Sequence, residues 1–290
     1  MVKSIAAIVA PVNGGGITVG MRDGADQAAA QAGGDGTVGK ALDVLDRVAR
    51  AGRPVRFSDL LAEAGYPKAT LYRLLQTLTH QGMLCYDPDR QAYAPGLRLV
   101  RLAHAAWSQS SLAPVARPML DRLSAEVGET IHLAQLDQGQ VLYVDKRNAK
   151  APVEMFSQAG RVGPAYCTGV GKAMLAHLPA PLLEEALRRQ SFHRFTPRTL
   201  TDPQALREEL ARIRAAGHAL DREEHEPGIV CVAVPILARA GRVMGAVSVT
   251  STTARKGLDA LAALAPRLRA VAAAIAADAE SWHFPQQDQA

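Results

Sequence analysis

The sequence predicts an α+β protein of two units, a small helical one near the N-terminus and a larger one in which helices flank an antiparallel sheet. Three observations predict it. A chain of 290 residues, 48% of them hydrophobic, supplies more than one core, because a single domain usually runs to about 100–200 residues. Apolar residues recur at helical spacing between residues 37 and 78. Beyond residue 130 they gather into two pairs of short apolar runs, each pair broken by a polar, glycine-containing turn, with helical segments between and after them.

Residues 1–36 are rich in Gly, Ala, Asp and Gln without apolar periodicity, the composition of a disordered tail. The basic and apolar start of this tail ends at Pro11, too soon for a secretion signal, and Met21 offers an alternative start. From 37 to 50, Leu42, Leu45, Val48 and Ala49 mark a first helix, with Arg47 and Arg50 suiting its C-terminal dipole and Gly52 stopping it. Ser58 is a natural N-cap for a short helix from Asp59 to Ala64 that buries Leu60, Leu61 and Ala64. After the turn Gly65-Tyr66-Pro67, Leu71, Leu74, Leu75 and Leu78 form the stripe of a third helix ending at Gly82. Two short helices across a glycine turn make a helix-turn-helix.

The third helix turns Lys68, Ala69, Tyr72, Arg73 and Gln76 to solvent, donors and small groups that suit a major groove. Its first turn offers free N–H groups and the Thr70 hydroxyl to phosphate. The runs 83–86 and 91–94 around Asp87-Pro-Asp-Arg90 read as a β-hairpin, a wing with Arg90 at its tip. Residues 37–96 are thus expected to be a winged helix-turn-helix DNA-binding domain. Residues 37–104 hold ten Lys/Arg against six Asp/Glu, so the chain's excess of +5 is concentrated there and favours a polyanion partner. A mildly basic solvated surface is the competing reading of the charge, and a winged helix that makes only protein contacts is the competing reading of the helix-and-hairpin pattern.

Apolar spacing from Leu97 through Trp107 predicts a linker helix over 97–114, punctuated by Pro114 and Pro118. A helix from about Val115 to Glu126 follows, with Met119, Leu120 and Leu123 inward. Strands are expected at 131–136 and 140–144, and again at 229–237 and 243–250. Helices are expected near 169–178, 181–190 and 202–216, with an Ala/Leu-rich final helix at 258–279 and a tail at 281–290.

Three runs carry a family resemblance: Thr37-Val-Gly-Lys-Ala-Leu-Asp-Val-Leu, Pro67-Lys-Ala-Thr-Leu-Tyr-Arg-Leu-Leu-Gln-Thr-Leu and Tyr93-Ala-Pro-Gly-Leu-Arg-Leu. In order and spacing they resemble the DNA-binding domain of IclR-type transcriptional regulators, with Tyr66 and Ala69 as departures that bear on which operator is read. The likeness continues through Ala165-Tyr-Cys-Thr-Gly-Val-Gly-Lys-Ala-Met-Leu-Ala176, residues 217–235 and Ala246-Val-Ser-Val-Thr250, covering about residues 37–280. It implies a GAF-like effector-binding domain over 115–280, a small organic or aromatic acid as ligand, and Gly169, Val170, Asp221, Cys231, Ser248 and Thr250 around it. Met155 and Phe156 would add apolar wall. The residues themselves leave alternatives open: the glycines equally suit a tight turn, and Cys231 and Ser248 suit core packing on buried strands somewhat better than direct contact.

Other chemistries are set aside. Gly169-Val-Gly-Lys172 is not a phosphate loop, because the earlier glycine falls at Tyr166 and the following hydroxyl at Ala173. The consecutive run Asp221-Arg-Glu-Glu-His-Glu226 suits a solvated loop better than a metal or general-base site. Three scattered cysteines, Cys85, Cys167 and Cys231, argue against disulfides and a structural zinc site and for a reducing compartment. No uninterrupted apolar run approaches the roughly 20 residues of a membrane span. The expectation is a cytoplasmic, ligand-responsive regulator with no catalytic role, no metal and no cofactor, binding double-stranded operator DNA as a homodimer or dimer of dimers. The alternative is a GAF-like small-molecule-binding enzyme or sensor whose winged helix contacts another protein.

Overall fold

The computed structural model describes residues 36–281, so both expected tails lie outside the described residues apart from Gly36 and Ser281. The N-terminal unit comprises α1 (Gly36–Arg50), β1 (Val55–Arg56), α2 (Phe57–Ala64), α3 (Lys68–His80), β2 (Leu84–Asp87) and β3 (Ala92–Pro95). Its core is the leucine stripe of α3 closed against Val44, Leu45 and Val48 of α1, Leu60 and Ala64 of α2, and Leu84 and Tyr93 of the wing. These side chains converge because 3.6-residue periodicity aligns i, i+3, i+4 and i+7 on one face. The wing is wider than the hairpin expected, since β1 adds a third strand beside β3, with Val55 opposite Tyr93. Ser58 is not an N-cap. The helix starts earlier, Arg56 takes the cap position with no side-chain cap bond, and the Ser58 hydroxyl turns to Asp59.

The linker helix α4 (Leu97–Ser110) holds both units. Leu99 packs on the N-terminal core, Arg98 donates to the Gln81 carbonyl, and the Trp107 indole donates to the Val144 carbonyl at 3.1 Å. Pro114 lies in the first turn of α5 (Ala113–Val127), where a missing N–H costs least, whereas Pro118 lies inside the helix, past that turn, and removes the hydrogen bond to the Pro114 carbonyl.

The larger unit is a six-stranded, wholly antiparallel sheet of β4 (Thr130–Asp137), β5 (Gln140–Arg147), β6 (Val162–Gly163), β7 (Ala219–Arg222), β8 (Ile229–Leu237) and β9 (Val243–Thr252), ordered β6-β5-β4-β9-β8-β7. Gln138 and Gly139 join β4 to β5 with φ of 49° and 82°, both left-handed, as the tight hairpin requires. Alternation divides the sheet into two faces. Ile131, Leu133, Val230, Val232, Val234, Ile236, Val247 and Val249 meet α5, α9 (Leu258–Ala262) and α10 (Ala265–Ser281). The opposite face is built of small residues, Ala134, Ala219, Ala233 and Ala246, which leave room for α6 (Gly169–Leu175), itself buried throughout, and α8 (Pro203–Ala216) outside it. Helix α7 (Ala180–Arg188) packs at the edge through Ala186 and Leu187.

The expected single final helix is two helices. Pro266 cannot donate the hydrogen bond that would carry α9 into α10, and the chain turns at Ala263-Leu264. By length and composition the stretch Leu258–Glu280 is apolar enough to cross a membrane, but Leu261, Leu268, Val271 and Ile275 are buried against the sheet, the burial of a core helix.

Candidate functional site

Two sites stand apart in the chain. On α3, Lys68, Ala69, Tyr72, Arg73 and Gln76 are exposed and Thr70 is half-buried, so six of the residues expected to face DNA share one helix edge. Neither Lys68 nor Arg73 has an ion-pair partner among the described residues. Pro67 precedes the helix without a side-chain cap, and the first intrahelical bond runs from the Leu71 N–H to its carbonyl, leaving the preceding N–H groups open to an acceptor. Arg90 stands on the wing turn, which Asp87 shapes by accepting from the N–H groups of Asp89 and Arg90. Tyr66 points elsewhere: its hydroxyl donates to Asp43 at 2.9 Å, and Asp43 also holds Arg47, so this departure from the family pattern ties the turn to α1. Ala69 remains on the exposed edge.

The second site is a small cavity of about 30 Å³ between the sheet and the start of α6. Met155, Gly169, Val170, Asp221, Cys231, Ser248 and Thr250, all seven residues assigned to the effector site, line it. Sheet register brings them together. One row across the strands reads Asp221, Cys231, Thr250, Thr130, and the next reads Ala219, Ala233, Ser248, His132, Lys146. Sequence reasoning missed His132, Tyr143, Ser157, Thr168, His225, Glu226 and Ile229, which also line the cavity. His132 carried a signal, a polar residue in an otherwise apolar buried strand, whereas Ser157 lies in a loop and carried none. Phe156 stacks outside, edge-on to His225 and beneath Arg161. Asp221 belongs to a strand, β7, rather than to the acidic loop that follows it.

His132 organises the polar wall. Its Nε2 lies 2.7 Å from the Ser157 hydroxyl, and its Nδ1 lies 3.2 Å from Thr250 Oγ1 and 3.4 Å from Ser248 Oγ. Complete burial, with the nearby Lys146 charge, depresses its pKa to about 3, so the ring is neutral. The Ser157–His132 pair has the spacing of a nucleophile and base, but the other ring nitrogen meets hydroxyls in place of a carboxylate, and so neutral an imidazole is a weak base. Neither buried cysteine hydrogen-bonds a histidine among the described residues, and burial raises both thiols, with Asp221 adding to the effect.

Asp221 accepts from the Glu224 N–H at 2.8 Å. Burial, reinforced by the Glu224 charge and opposed by Lys172, raises its pKa to about 7. Near neutrality this carboxyl therefore exists in both protonation states. Glu226 is held below the ordinary range: burial pushes it up, but His225, the Phe156 N–H and Lys146 together outweigh this.

The glycines answer to packing. A Cβ on Gly169 would stand 2.3 Å from Cys231 Sγ, so α6 approaches β8 only without a side chain there, and one on Gly171 would stand 2.3 Å from the Ala165 carbonyl oxygen in the segment leading into the helix. Lys172, fully buried, reaches Glu224 at 2.5 Å and Glu209 at 3.8 Å, an ion pair that fastens α6 to α8 and to the loop after β7. Among the described residues no three His, Cys, Asp or Glu side chains form a metal-holding group.

The profile of the IclR helix-turn-helix domain matches residues 37–88, and that of the bacterial transcriptional regulator IclR C-terminal domain matches residues 104–277. The chain is 35% identical over 236 residues to the HTH-type transcriptional regulator BhcR of Paracoccus denitrificans, covering 81% of this chain and 84% of that protein. It is 34% identical over 219 residues to the regulator XynR of Escherichia coli, covering 76% and 87%. Among solved structures, an IclR homolog from Microbacterium hydrocarbonoxydans complexed with 4-hydroxybenzoate superposes with a TM-score of 0.73 at 26% identity, covering 84% of this chain and 99% of that one.

Proposed function

The chain belongs to the IclR family of bacterial transcriptional regulators, a DNA-binding helix-turn-helix joined to a C-terminal effector domain, and on that premise we propose how its two sites work together. Residues 37–96 grip an operator in the cytoplasm as a dimer or dimer of dimers. Lys68, Ala69, Thr70, Tyr72, Arg73 and Gln76 meet bases and phosphates, and Arg90 meets the backbone from the wing. Residues 97–114 couple this domain to the effector domain that follows. The exposed apolar residues Val38 and Leu42 on α1, and Leu97, Val100 and Leu102 on α4, support pairing between copies in this region.

The effector is a small organic acid held among Asp221, Ser248, Thr250, Cys231, Met155, Gly169 and Val170. The single observation that carries this reading is a small, partly open cavity whose wall holds hydroxyls, a neutral imidazole and a carboxyl able to carry a proton. Its present size takes one or two water-sized groups. An aromatic acid, as bound by the Microbacterium protein, therefore enters only if the Met155–Ser157 segment lifts. That segment is held by Ser157 on His132, by the Phe156 N–H on Glu226 and by Lys146 on the Ser157 carbonyl. A ligand that replaces Ser157 on His132 favours the lifted arrangement, and only such differential affinity shifts the grip on DNA.

Nuclease footprinting upstream of the chain's own gene, with and without small carboxylic acids chosen by thermal shift, tests both halves. Asp221→Ala with Ser248→Ala is expected to remove the effector's influence and leave the footprint. An unaltered response refutes the pocket, and no footprint refutes the operator reading in favour of a protein-binding winged helix.

A further inference from the structure

A second concavity lies between the wing and the start of α2, about 490 Å³ in volume and lined by Arg53, Pro54, Arg56, Asp59, Arg90 and Ala92. Three separate segments bring its guanidinium groups together, the turn before β1, β1 itself and the wing tip, with Arg56 paired to Ala92 on the adjacent strand. Their neutralisation is incomplete. Arg53 is 3.9 Å from Asp59, Arg90 is 3.7 Å from Asp87, and Arg56 has no ion-pair partner among the described residues. The cleft continues the exposed edge of α3, because Phe57, next to Arg56, packs edge-on against Tyr72 with ring centroids 6.4 Å apart. A concave site ringed by arginine forks matches a protruding phosphodiester, which accepts bidentate hydrogen bonds.

We propose that Arg53, Arg56 and Arg90 form a phosphate clamp that seats the DNA backbone beside the bases met by α3. The proposal rests on the DNA-binding reading and adds Arg53 and Arg56 to its contacts. A clamp of this kind anchors register and adds affinity without reading sequence.

The test is a salt titration of binding to a short random-sequence duplex, comparing the wild-type chain with the Arg53→Ala/Arg56→Ala variant. Each phosphate no longer neutralised by an arginine flattens the slope of log Kobs against log[salt] by about 0.9, so the variant, losing one phosphate in each subunit of a dimer, is expected to bind with a slope shallower by about two units and at least roughly tenfold more weakly at low salt. The same weakening on operator DNA, with sequence discrimination retained, supports the clamp. A variant with wild-type slope and affinity overturns the clamp while leaving the DNA reading intact. A wild-type chain that binds no DNA at any salt concentration overturns both.

Discussion

Replacing Asp221 with Asn isolates the electrostatic cost built into the cavity. The Asp221 carboxyl is buried and titrates near 7, against an ordinary value of about 3.9. Between these values the unfolded chain has released the proton and the folded chain has kept it, so stability falls as pH rises from about 4 to about 7 and is level above. At about 1.4 kcal/mol per unit, the full penalty is roughly 4 kcal/mol. Asn retains an oxygen to accept the Glu224 N–H and does not titrate. Compared by urea unfolding, Asp221→Asn and wild type should be nearly equal at pH 4, and the variant should be more stable by roughly 3–4 kcal/mol at pH 8. Buried His132 acts in the opposite sense in both proteins, losing stability as pH falls from about 6.5 toward 3, and it cancels in the difference. A stability difference independent of pH refutes the claim that Asp221 carries a proton near neutrality.

Three further outcomes follow from the same geometry. Binding of an anionic effector, measured by calorimetry, should weaken up to tenfold per pH unit above about 7 in wild type and stay level in Asp221→Asn, because a bare carboxylate beside ionised Asp221 is repelled. Arg73→Ala should raise the operator Kd about tenfold or more in a gel-shift titration without moving the melting temperature, since this side chain is exposed on the helix edge. Gly169→Ala should destabilise the effector domain by about 1–3 kcal/mol through the clash with Cys231 Sγ. Cys231→Ala in the same chain should rescue it, because the next nearest atom to the added Cβ, on Ala233, stands at 3.4 Å. A double variant no more stable than Gly169→Ala alone, by thermal melts, counts against packing as the reason for the glycine.

The chain by itself determined whatever depends on neighbours along the backbone. The leucine stripe from Leu71 to Leu78 and the polar edge opposite it follow from helical spacing, and they survive in the folded chain unchanged. The wing hairpin and the two hairpins of the larger sheet follow from alternation and turn residues. Local reading failed where a boundary hung on one backbone group, as at Arg56, which takes the cap expected of Ser58, and at Pro266, which divides the final helix. Six cavity residues, from Gly169 to Thr250, were reached through resemblance and not through spacing. What makes them a site is register: Asp221 stands opposite Cys231, Cys231 opposite Thr250, and His132 opposite Ser248, which lies 116 residues further along the chain. No local period encodes such pairings, and Ser157 and the buried Lys172–Glu224 pair became visible only in three dimensions. Hydrogen bonds between residues four apart are written in sequence spacing. Contacts across a sheet, and the desolvation that moves a proton onto Asp221, exist only once the strands have closed over them.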